Sequence, residues 1–373
     1  MAPTQAAHTA LRPLPGGFAA LHGWAQDDHG AALDAFRRSA RRHLTSPYKA
    51  RALSGANWAE RFTHACRAAW TDEALHDPRG FFERRFVPMR CETDGFVTAF
   101  FEPVVEARAA PDARFRHPLH APPPDLVKLT AAHDRTGLSD PAMRFARAMP
   151  DGTVCDMPDR GAIRAGALEG NAPVLAWLDD PVSLFFIHVQ GAARLRMGDG
   201  SERRVTFAAK TGHAYTSIAR ILCEREGIEP AAMTANVLAG RLRAMTEDER
   251  DALLARNRSY IFFSLSPTCE EPGLGQVAAA GVPLTPLRSL AVDRTLHAFG
   301  TPFFVTVDDW PGRGARLARC LVAQDTGSAI VGPARGDVFV GTGTVAGTLA
   351  AVVRHPARLT ALLPRDAAGE DAS

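Results

Sequence analysis

No stretch of this 373-residue sequence approaches the ~20 consecutive apolar residues needed to cross a bilayer. The first thirty residues also lack a basic region followed by a long apolar run, and Phe18-Ala-Ala-Leu21 is too short for a signal-peptide core. On this reading the chain is either cytosolic or exported by a signal outside this sequence. An excess of one charge is missing too. Lys+Arg 43 against Asp+Glu 41 leaves a formal net charge of +2, which gives nucleic-acid binding no support. Cysteines stand at 66, 91, 155, 223, 269 and 320, none in a Cys-x-x-Cys pair, so a zinc site has little support. Their pairing cannot be deduced, and buried free thiols are the expectation. The thirteen histidines show no metal-ligand cluster with paired helical spacing. No metal and no cofactor is expected, and no internal repeat is found.

What is present is an ordinary globular balance, 46% hydrophobic and 23% charged, in a chain longer than one core usually holds. Two domains are expected. Residues 1–20 read as loosely ordered. Helical spacing follows at Leu33, Phe36, Ala40 and Leu44, then at Trp58, Phe62, Ala65 and Ala69, and Asp77-Pro78 signals a third helix start. From Gly95 to Phe101 the sequence reads as a buried strand that stops at Pro103. Residues 104–135 are proline-rich, without helical period, and read as connector. Pro181–Ala209 reads as a hairpin, with strands at 184–189 and 203–207 and Asp199-Gly200 in the turn. A helix is expected over His213–Gly227 with Tyr215 on its apolar face, and a capping box at Thr246-Glu-Asp-Glu249 opens another. Strands return at 260–263, 303–307, 317–322 and 337–340, then a helix at 345–355 and a last strand at 358–363. The tail 366–373 reads as disordered.

The strand at 95–101 cannot satisfy its backbone alone. The β-rich C-terminal third offers partners, so the sequence predicts a discontinuous β domain with a second domain inserted in it. The cleft between them is the default ligand site.

Three aspartates sit beside short apolar runs: Asp293, Asp325 in Asp-Thr-Gly-Ser328, and Asp337 in Arg335-Gly-Asp337-Val-Phe-Val340. Singly, an aspartate beside glycine usually builds a turn. At the end of an apolar strand, however, a carboxyl can be desolvated and hold its proton near neutrality, as a general acid must. Two other short matches carry less weight. Gly341-Thr-Gly343-Thr-Val-Ala-Gly347 misses the dinucleotide fingerprint by one and lacks a phosphate-loop lysine. His213 fits a loop-ordering role better than that of a base.

Together these residues resemble the lytic murein transglycosylase A family with its C-terminal three-aspartate domain. The resemblance rests on Thr98-Ala-Phe-Phe-Glu-Pro103, Phe185-Phe186 with Val189-Gln-Gly191, Ala208-Ala-Lys-Thr-Gly-His-Ala-Tyr-Thr-Ser-Ile218, Asn257-Arg-Ser-Tyr-Ile-Phe-Phe263, Val282–Asp293, Asp325-Thr-Gly and Gly336-Asp337. It covers about residues 90–365 in order. Ala99, Ala193 and Ala209 stand where the family has glycine, Phe100 and Phe101 where it has tyrosine, and Ala192 where it has serine, which questions the glycan groove more than the chemistry.

The resemblance implies a mainly β fold with accessory helices. A double-psi β-barrel would form from 90–103 plus 258–365, residues 1–89 would add helices packed on it, and 104–257 would form a smaller inserted domain, with peptidoglycan in the groove between the domains. It implies non-hydrolytic cleavage between N-acetylmuramic acid and N-acetylglucosamine with a 1,6-anhydro product. Asp337 matches the catalytic acid, with Asp325 as its catalytic partner. Thr98, Phe101, Gln190, Gly191, Lys210, Tyr215 and Asp293 would meet the glycan. A monomer in the cell envelope, periplasm or outer membrane, acting beside other cell-wall enzymes, is implied as well. Two other classes stay open: a glycan-binding barrel that lost turnover, and an aspartic protease. The second would need another Asp-Thr-Gly or Asp-Ser-Gly, which the chain lacks.

Overall fold

The computed structural model describes residues 11–266, 271–311 and 316–365. It divides into two compact units, Met1–Phe101 with Cys269–Ser373, and Glu102–Thr268. The tail 366–373, expected to be disordered, and Cys269 lie outside the described residues. The other five cysteines are free, and Cys66, Cys223 and Cys320 are buried.

The discontinuous unit has eight strands: β1 (Arg12–Pro13), β2 (Phe86–Arg90), β3 (Gly95–Glu102), β4 (Ser289–Val292), β5 (Pro302–Val307), β6 (Leu317–Asp325), β7 (Arg335–Thr342) and β8 (Arg354–Pro364). They lie in the order β1-β2-β8-β5-β6-β4-β7-β3, and β3 returns to pair with β8. Six strands therefore close into a barrel, as the family resemblance implies, with β1 and β2 as an extension. Closure removes the free edges that an open sheet would expose. β3 pairs with β7 and β8, as its unsatisfied backbone predicts. β4 and β6 pair in parallel, and so do β7 and β3, since both run opposite to β8.

Alternation along the strands divides two cores. Phe303, Leu321, Ala323, Val338, Val97 and Leu290 fill one cluster inside the ring. Phe304, Cys320, Val322 and Leu362 face a second cluster, built with the helices α1 (His29–Thr45), α2 (Trp58–Ala68), α3 (Asp72–His76) and α4 (Pro78–Arg85). α1 starts where Asp28 accepts from the Ala31 N–H. α4 starts where Asp77 accepts from Gly80 N–H, with Pro78 at the first helical position. Phe36, Phe62 and Phe82 lie at the centre of that core, with the Phe36 and Phe62 rings 5.8 Å apart. Residues 11–20, expected to be loose, hold β1 on β2 and a short 3-10 turn at Gly17–Ala20. A fifth helix, α5 (Gly343–Ala350), precedes β8 and is shorter than the 345–355 expected.

The second unit is built on a four-stranded sheet in the order Ile261–Ser266, Glu202–Lys210, Ala192–Met197 and Val104–Ala107. Three expectations need correction here. Pro181–Gln190 is a helix, not the first strand of a hairpin. Asp180 accepts from Val182 N–H, Pro181 opens the first turn, and Gly191 closes the helix at φ 76°. A short all-apolar run has no period to separate buried helix from buried strand, and its flanks decide. The true hairpin partner is Ala192–Met197, with Gly200 in the turn at φ 83°. Second, Ile261–Ser266 pairs with Glu202–Lys210, so this strand belongs to the second unit and not to the barrel. Third, the stretch 104–135 contains short strands at Val104–Ala107, His117–His120 and Leu126–Lys128, too brief to show alternation between prolines.

Candidate active site on the barrel wall

The register of four barrel strands builds the site. Ala291 of β4 pairs with Asp337 of β7 on one side and with Asp325 of β6 on the other. Residues in register share a face of the sheet, so the two aspartates flank one small side chain. Their backbones are about 10 Å apart, two strand spacings. A bulge makes this possible. Leu290 pairs with Ala323, but the next residue, Ala291, pairs with Asp325, and Gln324 is skipped. An extra residue of this kind re-aims the following side chain. Gln324 instead turns toward α1, where its amide donates to Ala35 O and Ser39 Oγ, both at 2.9 Å. Without the bulge, Asp325 would share the face of Ala323, inside the barrel.

Thr98 of β3 completes the row. Its hydroxyl donates to Asp337 Oδ1 at 2.5 Å and accepts from Arg335 Nη2 at 2.7 Å. Beneath lies a small apolar cluster of Phe100, Leu284, Ala291, Ile330 and Phe339. Phe339, two residues after Asp337, shares its face, while Val338 and Val340 point into the barrel.

Burial among these groups pushes the Asp337 carboxyl up to about 6, against the Thr98 hydrogen bond and the Arg335 charge. Burial also lifts Asp325 to about 6, opposed by the N–H groups of Thr326 and Ala279 and aided by the Asp337 charge. Both carboxyls keep partial solvent access, so an acid that is protonated in mildly acidic medium can still reach a ligand.

Asp293 differs. It accepts from Thr295 N at 2.9 Å, Thr295 Oγ1 at 2.6 Å and Gly332 N at 2.9 Å. Burial opposes ionisation, but these hydrogen bonds prevail and hold its pKa below the usual carboxylate value. It is a turn-builder that ties the 293–297 turn to the loop before β7, not a proton donor. Phe101 packs on the barrel core beside Gly347, where an added Cβ would meet the ring at 2.9 Å.

The remaining sequence candidates lie in the second unit. Gln190 ends the helix Pro181–Gln190, and Gly191 is its cap. Lys210, half-buried, ends a strand. Tyr215 is 52% exposed in the loop before the helix Ile218–Glu226, not on that helix. Ser217 accepts from Arg220 N–H and starts the helix five residues later than expected from His213. His213 is buried and bonds Met157 O at 2.7 Å, a loop-ordering contact. Ala193 and Ala209, which stand where the family has glycine, are buried in the cores of this unit, so their methyl groups fill core space. Sequence reading missed Arg335. Only its place two residues before Asp337, on the same face of a strand, could have signalled it.

Raised carboxyls make a stability prediction. Their folded-state pKa lies above the ordinary 3.8, so their contribution is complete at low pH and is lost as pH rises through about 6. Asp325→Asn or Asp337→Asn, which cannot ionise, should therefore be more stable than the parent at pH 8. A gain of about 1–2 kcal/mol each allows for partial solvent access. Near pH 3.5 the gap should close. Thermal melts at both pH values test this, and an equal Tm difference at the two would remove burial as the cause.

Residues 96–264 match the family described as MltA specific insert domain, and residues 288–363 match the 3D domain. The chain is 40% identical to a membrane-bound lytic murein transglycosylase from Agrobacterium tumefaciens of known crystal structure. That match covers 95% of this chain and 98% of the other, with a TM-score of 0.86. The chain belongs to the MltA family. MltA from Neisseria gonorrhoeae is 29% identical with 95% of both chains covered and a TM-score of 0.77. The membrane-bound lytic murein transglycosylase A of Vibrio cholerae is 29% identical over 267 residues, 70% of this chain and 63% of its own length. The chain thus spans just under two thirds of the curated MltA relatives it matches. Among the described residues no helix is long and apolar enough to cross a membrane.

Proposed function

We propose that this MltA-family chain is a peptidoglycan lytic transglycosylase, a lyase that cleaves the β-1,4 bond between N-acetylmuramic acid and N-acetylglucosamine without consuming water. The observation that carries this reading is a carboxyl raised to about 6, partly open to solvent, hydrogen-bonded by Thr98 on a rigid barrel strand. Asp337 gives its proton to the glycosidic oxygen as the C1–O bond breaks. The C6 hydroxyl of the muramyl residue then bonds to C1, closing the 1,6-anhydro ring, and its proton returns to Asp337. One carboxyl serves both transfers because the nucleophile is already tethered to the reacting sugar. No step calls for a metal or cofactor. The substrate would place the protein in the cell envelope.

Gln190, Lys210 and Tyr215 are the proposed glycan-binding residues of the second unit. Gln190→Ala should weaken chitohexaose binding about tenfold, the worth of one well-placed hydrogen bond. A dissociation constant equal to the parent's removes Gln190 from the site.

Mass spectrometry of muropeptides released from purified sacculi tests the whole reading. 1,6-anhydromuropeptides are expected. Reducing-end sugars would make the enzyme a hydrolase that uses both aspartates, and binding without any release would make it a glycan-binding barrel.

A further inference from the structure

Arg335 has no role in the reaction just described, yet its placement bears on it. Its guanidinium lies 5.5 Å over the Phe96 ring, Nη1 donates to the Gly336 carbonyl, and Nη2 donates to Thr98 Oγ1 at 2.7 Å. A guanidinium can only donate. The Thr98 oxygen must therefore accept from it, and the single hydroxyl proton is left to point at Asp337 Oδ1, 2.5 Å away. An oxygen that receives this hydrogen bond is the acceptor end of the carboxyl. Without Arg335 the threonine hydroxyl could turn round and accept, and the acid could hold its proton on Oδ1, facing protein instead of ligand.

We propose that Arg335 is a positioning residue for the acid: acting through the Thr98 hydroxyl, it confines the exchangeable proton of Asp337 to Oδ2. This inference rests on the transglycosylase reading for its catalytic meaning, but not for its geometry. Other charged groups face the same place. Asp325 lies across Ala291 on β6, where the charge of Asp337 disfavours its ionisation, and like-charge repulsion acts both ways. Arg354 of β8, in register with Thr98, acts on Arg335 and favours loss of its charge. His355, in register with Val97, falls on the other face of its strand. Arg335 therefore does two things together. It orders the proton, and its positive charge keeps the buried carboxyl able to ionise, which the return of the proton from the C6 hydroxyl requires.

The test compares Arg335→Met, Arg335→Lys, Thr98→Val and the double variant Thr98→Val/Arg335→Met. Two readouts are used: the pH profile of anhydromuropeptide release, and the carboxyl 13C titration of Asp337, assigned by its absence in Asp337→Asn. Arg335→Met should lower kcat about tenfold with KM nearly unchanged, and should move the alkaline limb and the carboxyl titration upward by about half a pH unit or more, since a favourable charge is lost. Arg335→Lys, which keeps donor and charge, should restore most of both. Thr98→Val should shift the titration in the same direction. In that background Arg335→Met should cost less turnover than it does alone, because the relay is already broken.

An unmoved titration and pH profile in Arg335→Met overturns the proposal, as does a raised KM with kcat and profile intact, which would make Arg335 a glycan contact. If Arg335→Met does not fold, an unshifted titration in Thr98→Val is the overturning result. If the parent releases no anhydro product at all, the functional reading fails, while the titrations still decide the relay.

Discussion

Asp337→Asn should reduce turnover by about 10²–10⁴-fold, the usual worth of general acid–base catalysis, and leave glycan binding close to that of the parent. The amide keeps the shape of the protonated acid and can still accept from Thr98, but it has no proton to give. Asp325→Asn should cost less if Asp325 only modulates its neighbour. The two carboxyls lie on either side of Ala291, each raised to about 6 chiefly by burial, and the Asp337 charge adds to the rise of Asp325, a repulsion that acts in both directions. Removing the Asp325 charge should lower the pKa of Asp337 and shift the alkaline limb of the rate profile to lower pH. Assays of anhydromuropeptide release across pH, with both variants beside the parent, check this. Parental rates in Asp337→Asn would transfer the role of acid to Asp325.

A second large effect is expected at Glu102, the last residue of β3. Its side chain is fully buried, with Arg204 Nε at 3.1 Å from Oε1 and Arg194 Nη2 at 3.1 Å from Oε2. Glu102→Ala takes the shared carboxylate from two guanidinium groups, one of them almost wholly buried, while Arg194 keeps Glu202 at 3.4 Å. Breaking a buried pair by removing one partner costs about 3–5 kcal/mol, and each kcal/mol lowers Tm by about 2–4 °C in a domain of this size. Replacing the charged groups together, as in Glu102→Met/Arg204→Met, should recover much of the loss. A loss below about 1 kcal/mol in Glu102→Ala would mean that water replaces the carboxylate and that the cluster is not structural.

Much of the fold was legible in the sequence where a physical signal is local. The Asp77-Pro78 start, the Thr246 capping box and the apolar run of β5 need only neighbouring residues. The pairing of β3 with distant strands followed from a backbone that had to be satisfied. The helix Pro181–Gln190 reads as a strand because its apolar run has no period, and only its flanks at Asp180, Pro181 and Gly191 mark it as a helix. β4 was missed because all four of its residues are buried and the strand is short. The site was legible as residue types, not as an arrangement. Asp325 and Asp337 are visible in the sequence, but the bulge that skips Gln324 and aims Asp325 beside Ala291 depends on pairing between strands. Asp293 looked like the other two aspartates and differs only in the N–H groups that its loop brings to it. Arg335 carried no motif of its own beyond its spacing from Asp337.

The closed ring also orders events in time. β3 is synthesised near residue 95, but its partners β7 and β8 begin at Arg335 and Arg354. At ribosomal speeds of about 5–20 residues per second, β3 waits roughly 10–50 s for the strand that seals it. The second unit, contiguous from Glu102 to Thr268, is complete well before then and is free to fold while the barrel is still half made. During that interval β3 is an open edge rich in phenylalanine, the kind of segment on which nascent chains join one another. Slow codons placed after the second unit would lengthen this exposure, and a holding chaperone would find its substrate in the N-terminal hundred residues.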